Sequence, residues 1–519
     1  MWRKLKINKS LLIIVIIMCI TCFTSLYILQ ISSKSINESL LLAIQVIFII
    51  TTIIFIVIQN KIISIKEILP EKALLLIMPL FCLLILTTIP VGRGHDEVMH
   101  WYKAFEISEG QLMTPIDEEN RVSIAKLPKG VENIVVEREK GVFKYIDNIS
   151  LFNEKIDYDE SVSVINQNSS AYCFVQYIPH VIGIFIGKVL TQNQLIIAYI
   201  ARLFNMVFCT IIMYFAIKKI PFGKNILLAL SIIPISIEGF ATISPDGITI
   251  AMCAMFISYV FYVAFEKNKM CEKKDIIALT IIGAIVSLCK VVYMPLIFLV
   301  LIIPKEKFLS KKAWIKAISI IISVGVLLNL IWLVFGSMTL LKTNTNTYFE
   351  TDESVSFNKL IILLTNPIGY LQKIFYTIGT NIDEYFLSLF GGYLEWSEMV
   401  SIPIMAFITF GLIILTSFIE KNNNIKIEKY QKIVISLIII IITLLIFTSI
   451  YIQWSNINVN YINGIQGRYF LPILPLILIF IPKVELKTKY SNNDITKLIC
   501  TFSYMIQLYT TANIVALHI

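Results

Sequence analysis

Apolar runs of about 20 residues, each long enough to cross roughly 30 Å of hydrocarbon as a helix, recur from one end of this 519-residue chain to the other. Most of them stop at a cluster of lysines. With 57% hydrophobic and 15% charged residues and a mean hydropathy of +0.79, the chain reads as an all-α, polytopic integral membrane protein with no separate soluble domain. The formal net charge of +9 does not point to nucleic acid. The lysines sit in short loops between apolar runs, where they orient the chain instead. The first run, Leu11 to Ile31, follows Arg3, Lys4, Lys6 and Lys9; it is too long for a signal peptide and no small-residue cleavage site follows it, so it reads as a retained anchor. The nine cysteines lie mostly inside apolar runs, and Cys19 and Cys22 fall within a span, which reads as helix filler rather than zinc or disulfide chemistry. The abundance of Ile, Lys and Asn is a compositional hint of a low-GC bacterial genome.

The lysines set the topology. Clusters at the N-terminus, Lys61/Lys66/Lys72, Lys218/Lys219/Lys224, Lys267 to Lys274, Lys305 to Lys312, Lys421/Lys426/Lys429 and Lys483/Lys487/Lys489 are cytoplasmic by the positive-inside rule. Residues 32–37, 91–170, 241–246, 336–401 and 455–467 are left for the outside. Full spans are expected at 11–31, 39–58, 73–90, 195–217, 225–240, 247–265, 313–335, 402–418, 433–453, 469–481 and 498–517. Eleven crossings place the N-terminus inside and the C-terminus outside. Residues 1–72 form an extra N-terminal pair of helices, and residues 73–519 form the main transmembrane domain with large outer loops at 91–170 and 336–401.

Two apolar stretches break simple alternation. Residues 171–190 lie between an outer loop and a span that must run inward to Lys218, and they contain Gln176, Pro179, His180 and Lys188. They are expected as a juxtamembrane or re-entrant helix at the outer face. Residues 276–303 have cytoplasmic lysines on both sides and are interrupted by Lys290 and Pro295. Two shorter helices forming a hairpin, with Lys290 near its tip, satisfy both flanks.

Ionisable residues within or at the ends of spans are costly and mark functional sites by default. The topology collects them at one leaflet: Asp96 and Glu97 after the third span, Arg202 in the outer half of a span, Glu238 and Asp246 around a short turn, Lys290 at the hairpin tip, and Arg468 at the start of a span. Asp96 and His100 are four residues apart, so on a helix they share a face and could form a proton-transfer or metal-binding pair. In Ser244-Pro245-Asp246-Gly247, Asp246 could equally be a helix N-cap. Arg202, Lys290 and Arg468 could snorkel to the interface, or they could supply the cationic stabilisation that a phosphate leaving group needs.

Together, Asp96-Glu97 through His100, Ser108-Glu109-Gly110-Gln111-Leu112, the Ser-Pro-Asp turn, Asn366-Pro367, Gly391 through Trp396, and Gln466 through Pro472 resemble, in that order, a family of uncharacterised bacterial membrane proteins. That family is similar to the GT-C glycosyltransferases. The resemblance runs from about Ala73 to the last spans; where the family usually has proline before Asp-Glu, this chain has His95. It implies transfer of a sugar from a polyprenyl-phosphate donor to an extracytoplasmic glycan, lipid or cell-wall polymer. It also implies that Asp96 is the base, with Asp246 matching a second acidic residue by placement and Glu97 beside Asp96; independently of the resemblance, Arg202, Lys290 and Arg468 are expected to bind the phosphate, and His100 and Gln466 complete the expected substrate-binding residues. A divalent metal is the alternative source of positive charge, with Asp96, Asp246 or His100 as ligands; no other cofactor is implied. The competing functions are a transporter or flippase of lipid-linked saccharides, expected to carry midplane charges and related halves, and a non-catalytic membrane scaffold.

Overall fold

The computed structural model describes residues 9–32, 38–65, 67–120, 122–134, 145, 151–342, 355–395, 400–420, 425–455, 459–478, 480–481 and 491–518. Among these the protein is a polytopic bundle of helices. Seven helices are long and apolar enough to cross a membrane: Leu41–Ile62, Pro70–Thr88, Gln194–Lys219, Pro245–Phe265, Lys311–Gly336, Lys429–Trp454 and Asn492–His518. An eighth follows if the bent pair Lys224–Ser231 and Pro234–Ala241 counts as one span.

The expected count of eleven is therefore not established by the described helices. The expected span at 225–240 is broken by 63°, because Pro234 at the start of its second half has no N–H to continue the first. The expected span at 469–481 is a 3₁₀ segment, Gly467–Ile473, running into the five-residue helix Leu474–Leu478. Pro403–Ile419 forms a helix of 17 residues.

Two unusual segments position the site. Lys273–Cys289 is α-helical, the chain turns at Lys290, and Val291–Ile302 returns as a 3₁₀ helix with Pro295 inside it. Cys271 N–H donates to the Lys307 carbonyl at 2.7 Å, so the two feet of this hairpin meet. The other segment is the helix Ile178–Leu190, which packs along Gln194–Lys219. Gly183 and Gly187, one turn apart, lie against the backbone of Ala201 and Ile197, the small-residue contact by which helices approach closely in membranes.

The lysine-rich ends gather on one side of the bundle. Lys497 Nζ reaches the Ile65 carbonyl at 3.2 Å, Glu420 accepts from the Asn225 N–H at 2.8 Å, and Gln431 donates to the Ile302 carbonyl at 2.8 Å. The N-terminal pair joins the same core: Phe55 stacks on Tyr504 with ring centroids 3.7 Å apart, and Gln59 donates to Thr501 Oγ1 at 2.6 Å.

At the opposite end, residues 91–170 hold a helix, Glu97–Ser108, and a three-stranded antiparallel sheet of Ile116–Asp117, Val122–Lys129 and Asp157–Ile165. The middle strand buries Ser123, Ala125 and Leu127 and turns the residues between them outward, so period-two alternation sets its inner face against Trp101 and Phe105. Residues 336–401 contribute the helices Val355–Thr365 and Pro367–Leu389 and the small hairpin Tyr393–Leu394 with Val400–Ser401. Single cysteines at Glu119 and Lys274, introduced after replacing the partly exposed Cys19 and Cys271, are expected to react with an impermeant maleimide from opposite sides of the membrane. Labelling of both from one side would overturn the arrangement.

Candidate functional site

The loop after Pro70–Thr88 is wound around one carboxylate. Glu97 Oε2 accepts the N–H groups of Gly92 at 3.0 Å and Gly94 at 3.1 Å, and its Oε1 accepts that of Ile243 at 2.8 Å. Arg202 completes the pairing bidentately, Nε to Oε1 at 2.7 Å and Nη2 to Oε2 at 2.5 Å. The same guanidinium donates to the carbonyls of Leu86, Ile89 and Pro90, satisfying groups that a helix end leaves orphaned. Both side chains are fully buried. They face each other rather than the cavity, so the structure gives them to the loop's architecture.

Asp96 is turned the other way. It sits immediately before the helix Glu97–Ser108 with φ 53°, in the left-handed region, and its side chain is 43% exposed. Arg468 Nη2 donates to Asp96 Oδ2 at 3.3 Å, and Arg468 Nε lies 3.6 Å from Asp246 Oδ2. Lys290 Nζ donates to the other oxygen of Asp246 at 2.5 Å. Four residues from four separate segments thus form a row of alternating charge: Asp96, Arg468, Asp246, Lys290.

Local structure explains each placement. Ser244, not Asp246, caps the helix Pro245–Phe265, its hydroxyl accepting the Asp246 N–H at 3.2 Å, which leaves the Asp246 carboxylate free for the cations. Any Cβ on Gly247 would overlap the Gly239 carbonyl, and one on Gly467 would overlap that of Tyr385. These two glycines press the Asp246 turn and the Arg468 segment against their neighbours. Lys290 lies between the rings of Tyr172 and Tyr469, 5.5 and 5.4 Å from their centroids.

Arg468 and Asp246 line a small pocket with His95, Glu238, Ser244, Thr249 and Tyr293. His95 Nδ1 is 2.7 Å from Glu238 Oε1. Behind this pair, the Glu395 N–H donates to Glu238 at 3.2 Å and His518 Nε2 lies 2.8 Å from Glu395 Oε2. A second pocket shares Ile250, Leu471 and Pro472 with the first and is otherwise lined by Met213, Leu227, Leu230, Ala254 and Pro475, with the hydroxyls of Ser231 and Ser236 turned to carbonyls. A polar head space therefore adjoins an aliphatic one.

Two expected ligand-binding residues stand back from this pocket. His100 Nδ1 pairs with the Tyr177 hydroxyl at 2.8 Å and its ring meets Tyr172 edge-on; burial pushes it down to about 4, so it is neutral near physiological pH. Gln466 opens the 3₁₀ segment through its backbone carbonyl, which accepts the Tyr469 N–H at 3.1 Å. A metal does not fit the residues nominated for one. Among the described residues no three His, Cys, Asp or Glu side chains gather as ligands, and a guanidinium already stands between Asp96 and Asp246. Trp396 lies outside the described residues.

The sequence does not reveal the His95–Glu238 pair, since the two are 143 positions apart; Glu238 announces itself only as an acid within an apolar stretch. In comparisons with known proteins, the profile of a family described as "Predicted membrane protein (DUF2142)" matches residues 79–477. No curated protein and no solved structure matches the chain.

Proposed function

We propose, for a chain that belongs to the DUF2142 family of predicted membrane proteins, that it is a GT-C-type glycosyltransferase of the bacterial cell membrane. It would transfer a sugar from a polyprenyl-phosphate donor to a glycan, lipid or wall polymer at the extracytoplasmic face. Arg468 carries this reading. Its side chain is 8% exposed, yet Nε and Nη1 are buried without a hydrogen bond, at the wall of a pocket that adjoins an aliphatic one. A buried guanidinium with donors to spare is costly unless an anion takes them, and its planar fork suits phosphate oxygens.

Lys290 supplies a second positive charge for the departing phosphate, and Asp246 holds both cations in place. The aliphatic pocket suits the first isoprene units of the carrier. Asp96, on the hydrated side of Arg468, takes the proton of the acceptor hydroxyl, while Glu97 and Arg202 fix the loop that presents it. His100 and Gln466 act from behind as supports.

The test is incubation of the purified protein with a panel of radiolabelled polyprenyl-phosphate sugars. At least one donor is expected to release lipid phosphate, and Arg468→Met is expected to weaken donor binding about ten- to hundredfold, as for loss of a charge-assisted contact. Absence of both binding and release across the panel would overturn the proposal. Tight binding without release would favour the flippase.

A further inference from the structure

We propose that His95, backed by Glu238, is the proton donor to the departing phosphate; this rests on the transferase reading above. The phosphate pocket has an excess of acids. Asp96, Asp246 and Glu238 stand in or beside it with Glu395 behind, against Lys290, Arg468 and the buried Arg93, whose charge acts on Glu395. One carboxylate of the four is left without a cation, and it repels an incoming phosphate unless a further cation accompanies it. His95 is in place to be that cation: Nδ1 is held by Glu238 at 2.7 Å, and among the described residues nothing hydrogen-bonds to Nε2, on a side chain that lines the pocket.

Glu238 is itself held. It accepts the N–H of Glu395, a residue at φ 65° in the left-handed region, and Glu395 is paired with His518. Strained backbone of this kind persists only where its surroundings enforce it, and here it aims an amide at the carboxylate that orients His95. A carboxylate behind an imidazole fixes the ring and stabilises its charged form. His100 has no such partner, since its Nδ1 faces a tyrosine hydroxyl.

The step balances. The acceptor hydroxyl gives its proton to Asp96 and its oxygen bonds to the anomeric carbon. The bond from that carbon to the phosphate oxygen breaks, its electron pair leaves with the phosphate, and that oxygen takes the proton from His95 Nε2. Neutral His95 remains, with Nδ1–H on Glu238; it regains a proton from water as Asp96 releases one. No proton is gained or lost over the cycle. Glu238 is a positioning residue and His95 the catalytic one.

The experiment uses the full chain in detergent micelles, the donor that the wild type turns over, and a farnesyl-length isoprenyl phosphate as binding probe. His95→Gln is expected to lower transfer by about 10²- to 10⁴-fold while the isoprenyl phosphate still binds. Glu238→Gln, which keeps the imidazole but removes the carboxylate that orients it at 2.7 Å, is expected to lower kcat with little change in KM. In the wild type itself, where folding is not in question, diethyl pyrocarbonate is expected to modify His95 and the isoprenyl phosphate to block it. If His95→Gln transfers at the wild-type rate, the proton-donor role fails and the transferase reading stands. If the phosphate protects His95 but the wild type turns over no donor of the panel, role and reading fall together. If the phosphate binds without protecting His95, the contact is refuted directly.

Discussion

Replacing Asp96 by asparagine is expected to lower transfer by about 10²- to 10⁴-fold, the contribution of a positioned base, while donor affinity changes little. Asparagine is the informative replacement for a backbone reason. At φ 53°, a residue with an unsuitable side chain would strain the turn, and asparagine is among the few that enter the left-handed region readily. Its amide oxygen can still accept from Arg468, so the guanidinium keeps a partner on that side. What disappears is basicity. Steady-state turnover measured beside the binding constant for the lipid donor separates the two effects. Full turnover in Asp96→Asn would remove Asp96 as the base; equal loss of binding and rate would make it an anchor for Arg468.

The largest loss of stability is expected at Arg202. Methionine there fills similar volume but leaves the Glu97 carboxylate buried without its cation and the carbonyls of Leu86, Ile89 and Pro90 without their donor. Removing one partner of a buried ion pair costs about 3–5 kcal/mol. In a thermal melt in detergent, Arg202→Met should unfold well below the wild type. The double variant Arg202→Met with Glu97→Gln should recover part of the loss, because no unpaired charge then remains. A single variant that melts with the wild type would show that the loop around Glu97 is held by its backbone contacts alone.

Which residues meet is partly legible in the amino-acid sequence. Asp96, Asp246, Lys290 and Arg468 can be assigned to one end of the bundle by following lysine clusters from span to span, and that logic also implies a hairpin at 276–303. Charge distribution along a membrane chain carries this information because crossing the bilayer forces the two ends of each helix apart. Partner choice is a different matter. Asp96 and Glu97 are adjacent and chemically alike; that one faces the cavity and the other is enclosed depends on a left-handed residue and on an arginine 105 positions away. The three-stranded sheet is hidden for a related reason: its middle strand contains Lys126, Pro128 and Lys129, which read as loop until pairing with Asp157–Ile165 is known. The bend before Pro234 and the 3₁₀ geometry of Val291–Ile302 depend equally on tertiary packing.

The row Asp96, Arg468, Asp246, Lys290 also has a consequence at long range. Its charges alternate and sum to zero, so its potential decays as that of a multipole, well inside the reach of a single ion. The row by itself does little to draw soluble anions from the surrounding water, and any anion that arrives must compete with a carboxylate for the guanidinium. On the proposed function, such a site would favour anions delivered along the membrane plane, where the aliphatic end of a lipid-linked donor would supply the affinity that its charge does not.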